Sequence, residues 1–309
     1  MNFFRVVLTY SILIVACSSS KKNQQQSPPP LEKSLLWQIS GNGLPKPSYL
    51  FGTIHMLCKD DAALSDSLKS AIEHADRVYL ELDMDNLFEM IGALRHMKMR
   101  NDTTLADLLN PEDYQKVKTF IENKNGMLPF SELETYKPLL ASSMFLESSL
   151  PCNSPVAMEQ LIMAEAKKYK KRIDGLETMN YQMSIFDSIP YKYQAEQLLK
   201  SIQTGSSNSQ EGKEFDEMMQ AYKDQDLEKL SQLINKEDNG IFQYEDILLY
   251  NRNRNWVQKL NTIMKERPVF IAVGAGHLPG EKGVINLLRK AGYKVKAIKS
   301  GFSNKSKTI

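Results

Sequence analysis

The chain has 309 residues, of which 42% are hydrophobic and 25% charged, and its net charge is +2. That length suits one large domain or two small ones, and that balance is ordinary for a globular protein. So small a net charge, with no concentrated basic stripe in the folded part, excludes a nucleic-acid footprint.

From the N-terminus, Arg5 precedes an apolar stretch over 6–15. The stretch is too short to span a bilayer as a helix and reads as the hydrophobic region of a secretory signal over 1–16. It closes on Leu13-Ile14-Val15-Ala16-Cys17. This resembles a bacterial lipobox, in which a small residue precedes the cysteine that becomes the lipidated N-terminus. Residues 17–33, rich in Ser, Gln and Pro, cannot build a core and form a tether. The expectation is a domain over 34–302, lipid-anchored at Cys17 to a bacterial membrane. It would lie in the cell envelope, periplasmic or surface-facing, with a flexible tail over 303–309. Of the two other cysteines, Cys58 and Cys152, outside the cytoplasm the reading is a disulfide bracing the loop near His55; two buried free thiols are the alternative.

Within the domain, 37–40 reads as a short strand and 48–54 as a buried strand. An amphipathic helix over 62–75 follows, then a second buried strand over 77–82. Strand, helix, strand in that order suggests a parallel unit. The middle is helical by spacing over 87–97, 104–109, 111–122, 138–150, 156–169, 191–202 and 211–222. A short strand and turn interrupt it at Asp174-Gly175-Leu176-Glu177. A long helix over 246–266, a strand over 269–273, a helix near 281–291 and a strand over 293–298 complete the chain. The fold class is therefore α/β, with a mixed, mostly parallel central sheet from the N- and C-terminal parts and a large helical middle.

Two of the four histidines close a matching pattern. Gly52-Thr53-Ile54-His55 and Gly274-Ala275-Gly276-His277 each follow an apolar strand. In a parallel sheet, ligands gather beyond the carboxyl ends of the strands. Glu81, on the strand over 77–82, is a carboxylate where both faces are normally buried, so it needs a cation or a donor. A salt bridge would satisfy it. With two histidines nearby, so would a His-His-carboxylate metal site, with Asp83 as a further ligand. His74 and His96 lie on helical segments and read as surface or packing residues. There is no His-Glu-x-x-His helix, Walker loop or Gly-x-Ser-x-Gly elbow.

The ordered set resembles the TraB/PrgY/GumN family over about residues 35–300. The set is Leu50-Phe51-Gly52-Thr53-Ile54-His55, Tyr79-Leu80-Glu81-Leu82-Asp83, and Gly274-Ala275-Gly276-His277-Leu278-Pro279-Gly280. Gly175-Leu176-Glu177-Thr178 with Gln182, and Arg252-Asn253 before Trp256, add to the likeness. The animal Tiki proteins, membrane-tethered metal-dependent proteases, share these motifs, as does a wider group with erythromycin esterases and a haem-binding lipoprotein. The resemblance implies that His55, Glu81 and His277 build the active site and hold a divalent ion, Mn, Co or Zn. Glu81 would complete the metal shell or act as base. Glu177 is a second base or orients a ligand, or else caps the next helix. Arg252 holds an oxyanion or a substrate carboxylate, or else is a helix-surface cation. The expected activity is a metal-dependent hydrolase acting on a peptide or protein substrate. The alternative is a non-catalytic envelope lipoprotein that binds haem or a peptide pheromone.

Overall fold

The structure, a computed structural model, describes residues 30–301 except 87–91, 93, 125–127, 147–149, 151, 153, 205–209 and 236–241. The signal over 1–16, Cys17, most of the tether, the first half of the helix expected over 87–97 and the tail over 303–309 lie outside the described residues. The chain is already attached to the folded body at Leu31, whose amide donates to Glu228, and at Lys33, which pairs with Asp226.

Six strands form the central sheet: β1 (Leu36–Ser40), β2 (Ser48–Thr53), β4 (Arg77–Leu80), β6 (Arg172–Gly175), β7 (Val269–Gly274) and β8 (Lys294–Ile298). Two two-residue strands, β3 (Leu57–Cys58) and β5 (Pro155–Val156), pair separately. The order is β6-β4-β7-β2-β1-β8. The pairs β6–β4, β4–β7 and β7–β2 are parallel, and β1 runs antiparallel to both β2 and β8. The fold is thus α/β, with a mixed, mostly parallel sheet and a helical middle. Val269 to Val273 is the longest fully buried run, and an apolar run of that kind belongs at the centre of a parallel sheet. It inserts between β2 and β4, so the expected parallel unit exists with a C-terminal strand between its two halves.

Among the described residues the helices are α1 (Asp66–His74), α2 (Leu105–Leu108), α3 (Pro111–Asn123), α4 (Phe130–Leu133), α5 (Pro138–Leu146) and α6 (Met158–Lys168). They continue with α7 (Met179–Phe186), α8 (Tyr191–Thr204), α9 (Gln210–Lys223), α10 (Leu227–Ile234), α11 (Asn251–Glu266) and α12 (Val284–Lys290). Local chemistry sets several starts. Ser65 accepts from the Leu68 amide and begins α1 at Asp66, later than the expected 62. Asn110 caps α3 ahead of Pro111, and Thr178 caps α7. The long helix expected over 246–266 is instead a π-helical turn, Asp246–Tyr250, leading into α11. Such turns recur at functional sites.

Two cores result. The larger one holds the sheet between α1, α6, α9, α10, α11 and α12. The smaller one, around Leu105, Val117, Ile121, Phe130, Leu133 and Leu198, lies wholly within the helical middle. Among the described residues no helix is long and apolar enough to cross a membrane.

Candidate active site at the carboxyl edge of the parallel strands

Four adjacent parallel strands each deliver one titratable side chain to the same edge. β6 leads to Glu177, β4 to Glu81, β7 to His277 and β2 to His55. Glu81 is not inside its strand, as expected above. β4 ends at Leu80 and Glu81 begins the turn beyond it, where a side chain can reach across to the β7 end. The close approach of these ends depends on Gly175. A Cβ there would lie 2.7 Å from the Asp83 amide nitrogen and 2.8 Å from the Glu177 carbonyl oxygen.

Arg252 is the centre of the arrangement. It is buried, at 7% exposure, and its five N–H groups all meet protein acceptors. Nε donates to Glu177 Oε1 and Oε2 at 3.0 and 3.2 Å, and Nη2 donates to Glu177 Oε1 at 2.7 Å and Glu81 Oε2 at 2.5 Å. Nη1 donates to the Leu248 carbonyl at 2.9 Å and meets His277 Nε2 at 3.2 Å. The helix-surface alternative is therefore wrong. The oxyanion role has no N–H left to serve it in this arrangement. Arg252 positions two carboxylates and a histidine. Glu177 is no helix cap, since Thr178 takes that place, and it also accepts from Trp256 Nε1 at 3.0 Å.

Helix α11 supplies this support from one face. Arg252 and Trp256 are four residues apart and Asn253 and Trp256 three apart, the spacing that stacks side chains on one side of a helix. All three are buried. Asn253 Nδ2 donates to the carbonyls of His277 and Lys282, at 3.3 and 3.0 Å. Its Oδ1 is therefore the acceptor that meets His277 Nδ1 at 2.6 Å. His277 consequently carries its proton on Nδ1 and presents the Nε2 lone pair to Arg252, with Glu81 Oε1 at 3.8 Å beyond hydrogen-bond distance. The imidazole also lies against Trp256, ring centres 4.5 Å apart.

The electrostatics follow. Burial pushes His277 down to about 3, so it is neutral. Burial pushes Glu81 up, but His277, Arg252 and the Gly274 amide, which donates to Oε1 at 2.7 Å, together hold it at about 2. Burial raises Glu177 even beside Arg252. Two carboxylates sharing one guanidinium are thus pushed apart, a mark of functional sites.

His55 belongs to the same edge but faces a different partner. Its Nδ1 lies 3.0 Å from Glu159 Oε1, and its side chain is 77% exposed. That hydrogen bond raises the imidazole above its ordinary value. Asp83 is turned into its own loop, where Oδ1 accepts from the Asp85 amide. His74 bonds the Ser70 carbonyl on the exposed end of α1, and His96 is exposed. Cys58 and Cys152 are joined by a disulfide.

The donor chemistry suits a divalent cation. Each histidine gives Nδ1 to an acceptor, Asn253 or Glu159, which leaves Nε2 as the ligating nitrogen, the usual support of metal-binding imidazoles. Glu81 supplies an ionised carboxylate. The spacing, however, is not closed. Among the described residues no three His, Cys, Asp or Glu side chains converge on one point, and Arg252 stands at His277 Nε2.

A family model, TraB/PrgY/gumN, matches residues 35–297. The chain belongs to the TraB/PrgY/gumN family. As a member of it, the chain is similar to the Metalloprotease TIKI1 of Danio rerio, 23% identical over 87% of this chain and 64% of that protein. It is also similar to the Metalloprotease TIKI1 of Homo sapiens, at 22% over 87% and 62%. A Metalloprotease TIKI homolog of Nematostella vectensis is 21% identical over 86% and 67%. The chain thus spans just under two thirds of the length of the first of these relatives. No solved structure matches significantly.

Glu159 was not singled out by sequence. Its signal was there, because Glu159 lies on the apolar face of α6 with Ile162 and Ala166, three and seven residues on. An acid on an apolar stripe needs a partner.

Proposed function

We propose that this chain is a metal-dependent hydrolase of the bacterial cell envelope that cleaves peptide bonds. One observation carries the reading. Two histidines from opposite ends of the chain and Glu81 lie at neighbouring strand ends, each imidazole anchored through Nδ1, in a family whose relatives include metalloproteases.

In this reading His55, His277 and Glu81 hold the ion. A divalent ion held there would supply Lewis acidity towards a water and the scissile carbonyl. Glu81 suits the role of ligand, because a carboxyl held at about 2 stays ionised and is a weak base at neutral pH. Its Oε2 is taken by Arg252 and Gln182. Oε1 keeps a lone-pair direction beyond the Gly274 amide. Glu177 and Arg252 keep Glu81 in place. Asn253 keeps the His277 proton on Nδ1. A lipid at Cys17 and the following tether would hold the domain at a membrane, and the Cys58–Cys152 disulfide suits an oxidising compartment.

The test is peptide cleavage by the purified mature chain with added Mn, Co or Zn. Cleavage is expected to need the metal, to stop with chelator and to be lost in His55→Ala and in His277→Ala. The reading falls if no metal binds, or if both variants cleave as the parent does.

A further inference from the structure

His55 stands out because so little holds it. Its neighbour His277 is packed on Trp256 and enclosed, whereas 77% of the His55 side chain meets solvent. One polar contact sets its orientation, the 3.0 Å approach of Nδ1 to Glu159 Oε1. Glu159 itself is 8% exposed, and besides His55 the Thr53 hydroxyl and its own backbone amide approach its carboxylate. A carboxylate in that position costs free energy unless a donor or cation satisfies it, and His55 is the ring that does so.

The backbone around the pair is clamped on both sides. β3 pairs with β5, the Lys59 amide donates to the Ser154 carbonyl, and the Met158 amide donates to the Ile54 carbonyl. The Cys58–Cys152 disulfide ties the same two segments. The segment with His55 and the first turn of α6 with Glu159 are thus fixed to each other by contacts that involve neither side chain. Glu159 is presented to His55 by construction.

We infer that Glu159 is a positioning residue: it keeps a proton on His55 Nδ1, so that Nε2 is the nitrogen turned outward at the sheet edge. Glu159 does for His55 what Asn253 does for His277. The two acceptors differ for a physical reason. An exposed imidazole competes with water for its orientation and needs a charge-assisted hydrogen bond, roughly twice as strong as a neutral one. The enclosed His277 needs only an amide oxygen, and a carboxylate there would add a third negative charge beside Glu81 and Glu177. What His55 Nε2 then does, binding a divalent cation, rests on the function proposed above. The assignment of Glu159 to the His55 proton does not.

The experiment uses the mature chain, labelled with nitrogen-15, as the parent and as Glu159→Ala and Glu159→Gln. Imidazole nitrogen shifts are read without metal, at a pH where His55 is neutral, and Zn(II) binding is then followed by calorimetry. The parent is expected to carry the His55 proton on Nδ1. Glu159→Ala should move it mainly to Nε2 and weaken zinc binding by about 10–100-fold. Glu159→Gln, whose amide oxygen still accepts, should keep the proton on Nδ1 and lose far less affinity. Unchanged His277 signals report that each variant is folded. The inference is overturned if Nδ1 keeps the proton in Glu159→Ala, or if Glu159→Gln behaves as the alanine variant does. A parent that binds no zinc refutes the metal reading, and the nitrogen shifts still decide the role of Glu159.

Discussion

His55 and His277 each close a glycine-led turn after one of two strands paired in parallel, yet 77% of one side chain and 6% of the other is open to solvent. The register explains the difference. Gly52 pairs with Val273 and Thr53 with Gly274, so the two motifs are offset by one residue. β2 runs through its glycine, leaves the sheet after Thr53 and continues outward to β3. β7 stops on its glycine, and Ala275–His277 curls into a short 3-10 turn that places the His277 ring against Asn253 and Trp256 of α11. Gly52 makes room for that turn, since a Cβ there would lie 3.1 Å from the Ala275 Cα. A four-residue pattern specifies a turn after a strand. The surroundings of its histidine come from whatever packs on the turn.

Three measurements would break or sharpen this contrast. The largest effect is expected at Arg252, which attends only to the His277 side. Arg252→Ala leaves Glu81 and Glu177 buried without their cation, and loss of one partner from a buried ion pair costs about 3–5 kcal/mol. Urea unfolding should register that loss, while Arg254→Ala, at an exposed position of the same helix, should stay within about 0.5 kcal/mol. A comparable loss at both sites would contradict the central place of Arg252.

The next effect belongs to the His55 side. Cys58 and Cys152 are 94 residues apart in sequence, and opening a disulfide over so long a loop typically costs about 2–4 kcal/mol. Replacing both cysteines with serine should lower stability by that amount and disturb the His55 signals while leaving those of His277 in place. Disturbance of both histidines alike would mean that the two arms are not mechanically separate.

The smallest effect is in titration. His277 in the fold lies at about 3, below its ordinary 6.5, so burying it neutral stabilises fully above 6.5 and less as pH falls towards 3. Glu81, held at about 2 against an ordinary 4.5, has the same sign, its contribution lost as pH falls below 4.5. His55 is raised, so its contribution is complete below 6.5 and is lost as pH rises through its folded value. In an NMR titration from about pH 5 to about pH 11, His55 should change charge at about 9, above its ordinary value, and His277 should not titrate. Matching curves for the two histidines would overturn the assigned surroundings.

Much of the frame was legible beforehand. The strands at 48–54 and 269–273, the short strand that ends at Gly175 and the α3, α6 and α9 helices follow from apolar spacing and caps, which act over a few residues. α4 and α10 were not seen, because a single turn and an eight-residue helix carry few repeats. β3 and β5 were invisible for a different reason. Two-residue strands have no pattern and exist only because their partners lie alongside.

The sequence by itself determined that two glycine–histidine turns lie at strand ends, because short apolar runs broken by glycine give strands and turns wherever they occur; it put Glu81 inside its strand, which in fact ends at Leu80. Only the tertiary structure decided the strand order that sets β7 between β2 and β4. It also took burial beneath Trp256 and Asn253 of α11 to give His277 a neutral, enclosed place, and a buried acid on α6 to give His55, in an open place, its one charge-assisted hydrogen bond. Arg252 reaches Glu177 and Glu81 across 75 and 171 positions of sequence, and Glu159 reaches His55 across 104, because hydrogen bonding and desolvation act through space, not along the chain.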